Sequence, residues 1–205
     1  MLAAFTLSLL LITISELGDK TFFIAVILSM RHARHLVLAG VIAALAAMTL
    51  LSVAIGNLIA FLPKVYTHYA AIALFLIFGI KLLYAASQMS PVTDCEVVAE
   101  AKEAVEVGEK NLKGSNNPFA ILLESFILTF LAEWGDRTQI ATVTLAAAND
   151  VVGVTLGAIA GHSICAVIAV MGGNLIAGRV SERAVTAIGG LLFLVFAGLG
   201  FWEGA

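Results

Sequence analysis

The chain consists mainly of long apolar segments that alternate with short polar ones. Six apolar segments are long enough to cross a bilayer, which requires about 20 residues. They cover residues 2–29, 36–61, 67–89, 118–147, 151–178 and 184–203. The pattern predicts six transmembrane helices, with a polar linker at 90–117 between the third and the fourth.

Two of the predicted helices carry charged residues within their apolar runs. The first contains S-E-L-G-D-K-T at 15–21, and the fourth contains A-E-W-G-D-R-T at 132–138. An ionised side chain at the bilayer centre costs about 2.5–3.5 kcal/mol on insertion scales, so such groups are rare and usually functional. Both segments are also longer than a straight span needs, which suits a tilted or broken helix.

The two charged motifs belong to an internal repeat with an offset of 117 residues. The sequence G-N-L-I-A at 56–60 recurs at 173–177 in the same register. The aligned motif pairs are Glu16 with Glu133, Gly18 with Gly135, Asp19 with Asp136, Lys20 with Arg137 and Thr21 with Thr138. Because each copy holds an odd number of predicted helices, the second copy enters the membrane upside down. We therefore predict an all-α membrane protein, with six transmembrane helices as two inverted three-helix repeats at 1–89 and 118–205.

The linker at 90–117 between the repeats is acidic. A solvated tether is the favoured interpretation, and cation gathering or regulation is the alternative. Its apolar residues could line one side of a short helix. They are Val97, Val98, Ala101, Ala104 and Val105.

Composition excludes several classes of protein. With 61% hydrophobic and 12% charged residues, the chain is not an ordinary soluble domain. A net charge of -3, without a basic cluster among aromatic residues, argues against a nucleic-acid partner. No Lys or Arg precedes Lys20, so the first apolar segment is not expected to be a cleavable signal.

The basic residues predict the orientation in the membrane. One side of the predicted topology holds the linker and most of the basic residues, whereas the other holds Lys64. The positive-inside rule therefore places the linker in the cytoplasm and both termini outside. The basic residues on the linker side are Arg31, Arg34, Lys102, Lys110, Lys113, Arg179 and Arg183.

The motif acids could form a cation site where the repeats meet. On a continuous helix, Glu16 and Asp19 would share one face, as would Glu133 and Asp136. Carboxylate oxygens suit magnesium, calcium and manganese. Close carboxylates also repel one another when a metal leaves, which favours their protonation. Metal and protons would thus compete for the same oxygens.

Ion pairing is the alternative role for these charges. Glu16 could pair with Lys20, and Glu133 with Arg137, four residues along the same helix. Those pairs would leave both motif aspartates without partners. Lys20 and Arg137 could also extend away from the acids, which would make the site more negative.

The two motifs resemble the paired E-x-G-D-[KR]-[TS] signatures of the Gdt-type manganese and calcium transporter family, whose bacterial members include Mnx-type manganese exporters. The resemblance covers both halves and omits the linker. It implies a secondary transporter that exports Mn²⁺, or Ca²⁺, from the cytoplasm in exchange for protons by alternating access. It also implies no enzymatic cofactor, and a bacterial inner membrane or a plastid or thylakoid-type membrane as the location.

The resemblance also implies the site residues. The metal-binding acids would be Glu16, Asp19, Glu133 and Asp136. M-T-L-L-S at 48–52 and G-H-S-I-C at 161–165 are similar to the second- and fifth-helix patterns of the family. We also predict supporting roles for ten residues in or near these motifs, namely Lys20, Arg137, Thr21, Thr138, Met48, Thr49, Ser52, Gln139, His162 and Cys165.

Several supporting residues have alternative roles. Thr49 and Ser52 could donate to the acids or bond their own helix backbone. Gln139 could bond an acid or the ion. Met48 and Cys165 align in the repeat and could add sulfur ligands that favour manganese, although core packing is the favoured interpretation.

A proton-independent divalent cation channel is the alternative function, because acidic residues also line pores. An enzyme is not predicted. Adjacent helical residues such as His162 and Ser163 point about 100° apart, and the sequence has no G-x-S-x-G turn. The predicted partners are the bilayer, divalent cations and protons.

Overall fold

The computed structural model describes residues 1–61, 63–89, 95–111, 117–176 and 182–203. Most of these residues lie in α-helices, and none of them lies in a strand. The helices are α1 Leu2–Glu16, α2 Lys20–Arg31, α3 Arg34–Ile59, α4 Lys64–Gln88, α5 Cys95–Asn111, α6 Pro118–Ala132, α7 Arg137–Ala148, α8 Val151–Ile176 and α9 Glu182–Glu203.

Four of the described helices are long and apolar enough to cross a membrane. The segments that qualify are Arg34–Ile59, Val65–Gln88, Val151–Gly172 and Arg183–Trp202. At the predicted spans 2–29 and 118–147 the structure has bent helix pairs. The bend is 65° between α1 and α2, and 74° between α6 and α7. The described helices reach six spans if each bent pair crosses once.

Both bends occur inside the charged motifs. Gly18 and Gly135 have φ of 81°, in the left-handed region that other residues seldom adopt. Asp19 then caps α2 by accepting from the Lys20 N–H at 2.7 Å. Asp136 caps α7 by accepting from the Thr138 N–H at 3.3 Å. The glycine therefore ends one helix and the aspartate begins the next.

The expectation that the motif acids share one face of a continuous helix is wrong. Glu16 is the last residue of α1, whereas Asp19 precedes α2. Glu133 and Asp136 are separated in the same way, by the turn after α6. A helix break, and not helical periodicity, therefore sets the positions of the two acids in each motif.

The two halves pack closely against each other. Helix α1 packs on α8, α3 on α6, and α4 on α9. A Cβ on Gly40 of α3 would lie 2.5 Å from the Leu122 carbonyl oxygen. A Cβ on Gly157 of α8 would clash with the Phe5 carbonyl oxygen, which is the equivalent contact at the repeat offset. Glycine is needed at both positions because backbone approaches backbone.

The linker contains a packed helix. Helix α5 lies against α2 and α6. Ala101 and Val105 are fully buried, and Val97, Val98 and Ala104 pack partly buried against the same core cluster. These are the five residues predicted to line one side of a helix. The interpretation of the linker as a solvated tether is wrong for residues 95–111, because their apolar face is covered.

Candidate metal centre

Two buried glutamates form the base of the candidate site. Glu16 ends α1, and Glu133 caps the end of α6. Both residues are buried, with 2% of their surface exposed. The Thr21 hydroxyl donates to Glu16 Oε2 at 3.0 Å. The Thr138 hydroxyl donates to Glu133 Oε2 at 3.1 Å. The two motifs therefore hold their glutamates through the same contact.

Three carboxylates are close enough to share one cation. One oxygen from each of Glu16, Glu133 and Asp136 lies within 4.8 Å of the other two. Cation–oxygen bonds of about 2.0–2.6 Å place two ligands of one ion no more than about 5 Å apart. Three carboxylates offer only oxygen donors, which suit Mg²⁺, Ca²⁺ and Mn²⁺. The arrangement fits a hard divalent cation.

The fourth predicted ligand, Asp19, is paired with a basic residue. Its Oδ2 lies 3.0 Å from Nη2 of Arg137, which belongs to the other motif. Asp19 is not part of the group of three carboxylates. In this conformation it neutralises the guanidinium instead of completing the cation site.

Lys20 has a different environment from its equivalent Arg137. Its Nζ lies 3.4 Å from Oε2 of Glu100 on α5. The ion pairs considered as an alternative, Glu16 with Lys20 and Glu133 with Arg137, therefore do not form. Lys20 pairs with Glu100 and Arg137 with Asp19 instead. Lys20 extends away from the acids, as one of the alternatives allowed.

His162 borders the site. Its Nδ1 lies 3.7 Å from Glu16 Oε1, and both atoms are buried without a hydrogen-bond partner among the described residues. Cys165, one turn further along α8, donates to the Thr13 carbonyl at 3.1 Å and lines a small cavity together with Glu16. Both predicted residues of the fifth-helix pattern thus lie next to Glu16.

The hydroxyl groups of Thr49 and Ser52 on α3 donate within their own helix and not to the acids. Thr49 donates to the Leu45 carbonyl and Ser52 to the Met48 carbonyl, each at 2.8 Å within its own helix. Of the two roles considered for these residues, the structure shows hydrogen bonding to their own helix backbone.

Gln139 holds the second helix break in place. Its Oε1 accepts from the Gly135 N–H at 2.7 Å. Its Nε2 donates to the Met48 sulfur at 3.0 Å, so Met48 contacts an amide and not a carboxylate. The residue at the equivalent position of the first motif is Phe22, which has no such groups.

One contact was not anticipated by the sequence. Glu100 pairs with a motif residue, although it is one of several acids in a linker that has no copy in the repeat. The sequence contains one indication of its position. Glu100 directly precedes Ala101, which belongs to the predicted apolar face of the linker helix.

A bundle of apolar helices whose two halves jointly bury carboxylates is typical of a membrane transporter for cations. The family description "Divalent cation/proton antiporter GDT1" matches residues 4–90 and 121–205. The chain therefore belongs to the GDT1 family of divalent cation/proton antiporters. The family is one of transporters, not enzymes, and the chain is an integral membrane protein.

Individual relatives agree with this assignment. A GDT1-like protein of Synechocystis sp. is 59% identical over 98% of each chain. GDT1-like protein 4 of Oryza sativa subsp. indica is 45% identical over 95% of this chain and 71% of that protein. The chloroplastic PAM71-homolog protein of Arabidopsis thaliana is 45% identical over 98% of this chain and 59% of that protein. No solved structure matches this chain significantly.

Proposed function

We propose that the protein exports Mn²⁺, and also Ca²⁺, from the cytoplasm in exchange for protons. The observation that carries this proposal is the group formed by Glu16, Glu133 and Asp136, whose ligand oxygens lie within 4.8 Å of one another. A group of buried carboxylates needs a positive partner, which a divalent cation supplies.

The same geometry accounts for exchange. When the cation leaves, the carboxylates repel one another in a site with little solvent, and binding protons relieves that repulsion. Protons and cation use the same oxygens, so the site holds one or the other. Binding of protons on one side of the membrane then releases the cation there.

We also propose six spans, with each bent pair as one span, in two inverted repeats at 1–89 and 118–205. Equivalent helix breaks, aspartate caps and Thr–Glu hydrogen bonds support this arrangement. The repeats would move relative to each other in alternating access. The acidic linker faces the cytoplasm and both termini face outside, in accord with the positive-inside rule.

The proposed location is a bacterial inner membrane or a plastid or thylakoid-type membrane. Its support is the similarity to a protein of Synechocystis sp. and to a chloroplastic protein of Arabidopsis thaliana.

Proton efflux from proteoliposomes tests the proposed function. Inside-out vesicles with an acidic lumen and a luminal pH dye receive Mn²⁺, Ca²⁺ or Mg²⁺. We expect Mn²⁺ to trigger proton efflux from the wild type. Asp136→Asn should abolish the efflux by removing one of the three carboxylates, and Asp19→Asn should reduce it by releasing Arg137 from its ion pair. Glu103→Gln, an exposed acid of α5, is the matched control and should retain the wild-type rate.

Two other results would contradict the proposed function or its site. Metal entry without proton movement would identify a divalent cation channel. Full activity in both aspartate variants would show that the motif aspartates are not needed for transport.

A further inference from the structure

Helix α5 lies outside the two segments that match the family, 4–90 and 121–205. It nevertheless contacts the first half through α2 and the second half through α6. We propose that Glu100 of α5 is a positioning residue for transport. By pairing with Lys20, it keeps this ammonium away from Asp136, so that Asp136 stays available to the transported cation. The inference rests on the proposed function.

The difference between the two motifs supports this role. Arg137 reaches from the second motif to Asp19 of the first, at 3.0 Å. The repeat offset would give the equivalent contact between Lys20 and Asp136. Lys20 instead lies 3.4 Å from Glu100. The two motifs have equivalent charges, so an acid from outside the repeat accounts for the difference in pairing.

The pairing decides which aspartate is available. Asp19, which pairs with Arg137, is outside the group of three carboxylates. Asp136 belongs to that group and is held by the backbone and hydroxyl of Thr138. If Lys20 were released from Glu100, it could pair with Asp136 and compete with a cation for the carboxylate.

The packing of α5 places Glu100 beside Lys20. Ala101 and Val105 are fully buried against the core cluster that includes α2, so the helix backbone is fixed. A Cβ on Gly108 would lie 2.9 Å from a Leu128 methyl group, which shows the close approach to α6. Glu103 lines the same surface depression as Lys20 and Glu100, and provides a matched control on the same helix.

The test measures Mn²⁺-driven proton efflux as a function of Mn²⁺ concentration. Glu100→Gln should raise the KM for Mn²⁺ by about two- to fivefold, the effect expected of an exposed ion pair. Glu100→Lys should raise it further by repelling Lys20, and the maximal rate should stay at the wild-type level in both. Glu103→Gln and Glu103→Lys should leave the KM unchanged.

A double-mutant cycle with Lys20→Met tests whether Glu100 acts through Lys20. In that background, Glu100→Gln should produce no further change in KM. An unchanged KM in both Glu100 variants would overturn the inference. Equal effects at Glu103, or a Glu100 effect that persists with Lys20→Met, would do so as well.

Equilibrium Mn²⁺ binding to the purified variants, followed by the electron paramagnetic resonance of free Mn²⁺, separates the inference from the proposed function. If the wild type shows no proton efflux, the proposed function fails. Weaker Mn²⁺ binding in Glu100→Gln but not in Glu103→Gln would still support the role of Glu100, and equal binding would reject it.

Discussion

At the residue scale, the threonines that end the two motifs orient the acids. The Thr138 hydroxyl lies within hydrogen-bond distance of Glu133, at 3.1 Å, and of Asp136, at 3.2 Å. It therefore contacts two of the three carboxylates of the candidate site. A buried carboxylate that loses its donor must either move or bind a proton more readily.

Thr138→Val should weaken cation binding, whereas Thr138→Ser should preserve it. Hydrogen bonds to charged groups contribute about 1.5–3 kcal/mol, so we expect the KM for Mn²⁺ to rise by about tenfold or more in the valine variant. The measurement is Mn²⁺-driven proton efflux in proteoliposomes.

Thr144→Val is the control for this substitution. The Thr144 hydroxyl donates to the Ile140 carbonyl of its own helix at 2.7 Å, so its loss should not affect transport. Equal KM values for Thr138→Val and the wild type would contradict the orienting role of the hydroxyl.

At the element scale, the breaks in the bent helix pairs place the acids. The apolar pattern predicted α3, α4, α8 and α9 to within a few residues, because long apolar runs leave little choice of structure in a membrane. The pattern did not show how the motif acids are positioned. A spacing of three fits both a continuous helix and a break, and the left-handed conformations of Gly18 and Gly135 decide between them.

Gly135→Ala should destabilise the protein and impair transport. A Cβ at Gly135 would meet nothing within 4 Å, so the cost arises from its φ of 81°. That cost is about 1–2 kcal/mol for a residue with a side chain. Gly135→Asn should have a smaller effect, because asparagine tolerates this conformation better. Thermal unfolding of the purified variants, together with proton efflux, measures both consequences.

Gly189→Ala is the matched control, since a Cβ there also meets nothing within 4 Å but the residue is helical. It should be at least as stable as the wild type. A Gly135→Ala variant with wild-type stability and activity would show that the break does not require glycine.

The apolar face of the linker helix α5 was predicted, but its packing partners were not. The spacing of Val97, Ala101 and Val105 predicted an apolar helix face, and that face exists. An apolar face does not specify its partner, however. The packing of α5 on α2 and α6 could be found only from the structure.

At the scale of the whole molecule, the repeat predicted the symmetric part of the site but not its asymmetry. Glu16 and Glu133, each bonded to a threonine hydroxyl, are related by the repeat offset. Lys20 and Arg137 are also equivalent in sequence, yet they pair with Glu100 and Asp19. The partners differ because α5 occurs once, so no comparison of the two halves could anticipate its contribution.

If the protein works as proposed, one cation binds between its two halves. Anomalous X-ray diffraction from crystals of the wild-type protein grown with Mn²⁺ would locate that cation. We expect one Mn²⁺ peak, about 2.0–2.6 Å from carboxylate oxygens of Glu16, Glu133 and Asp136. Mn²⁺ bound only elsewhere, for example to the acidic residues of α5, would contradict the account, as would crystals that contain no bound Mn²⁺ at saturating concentration.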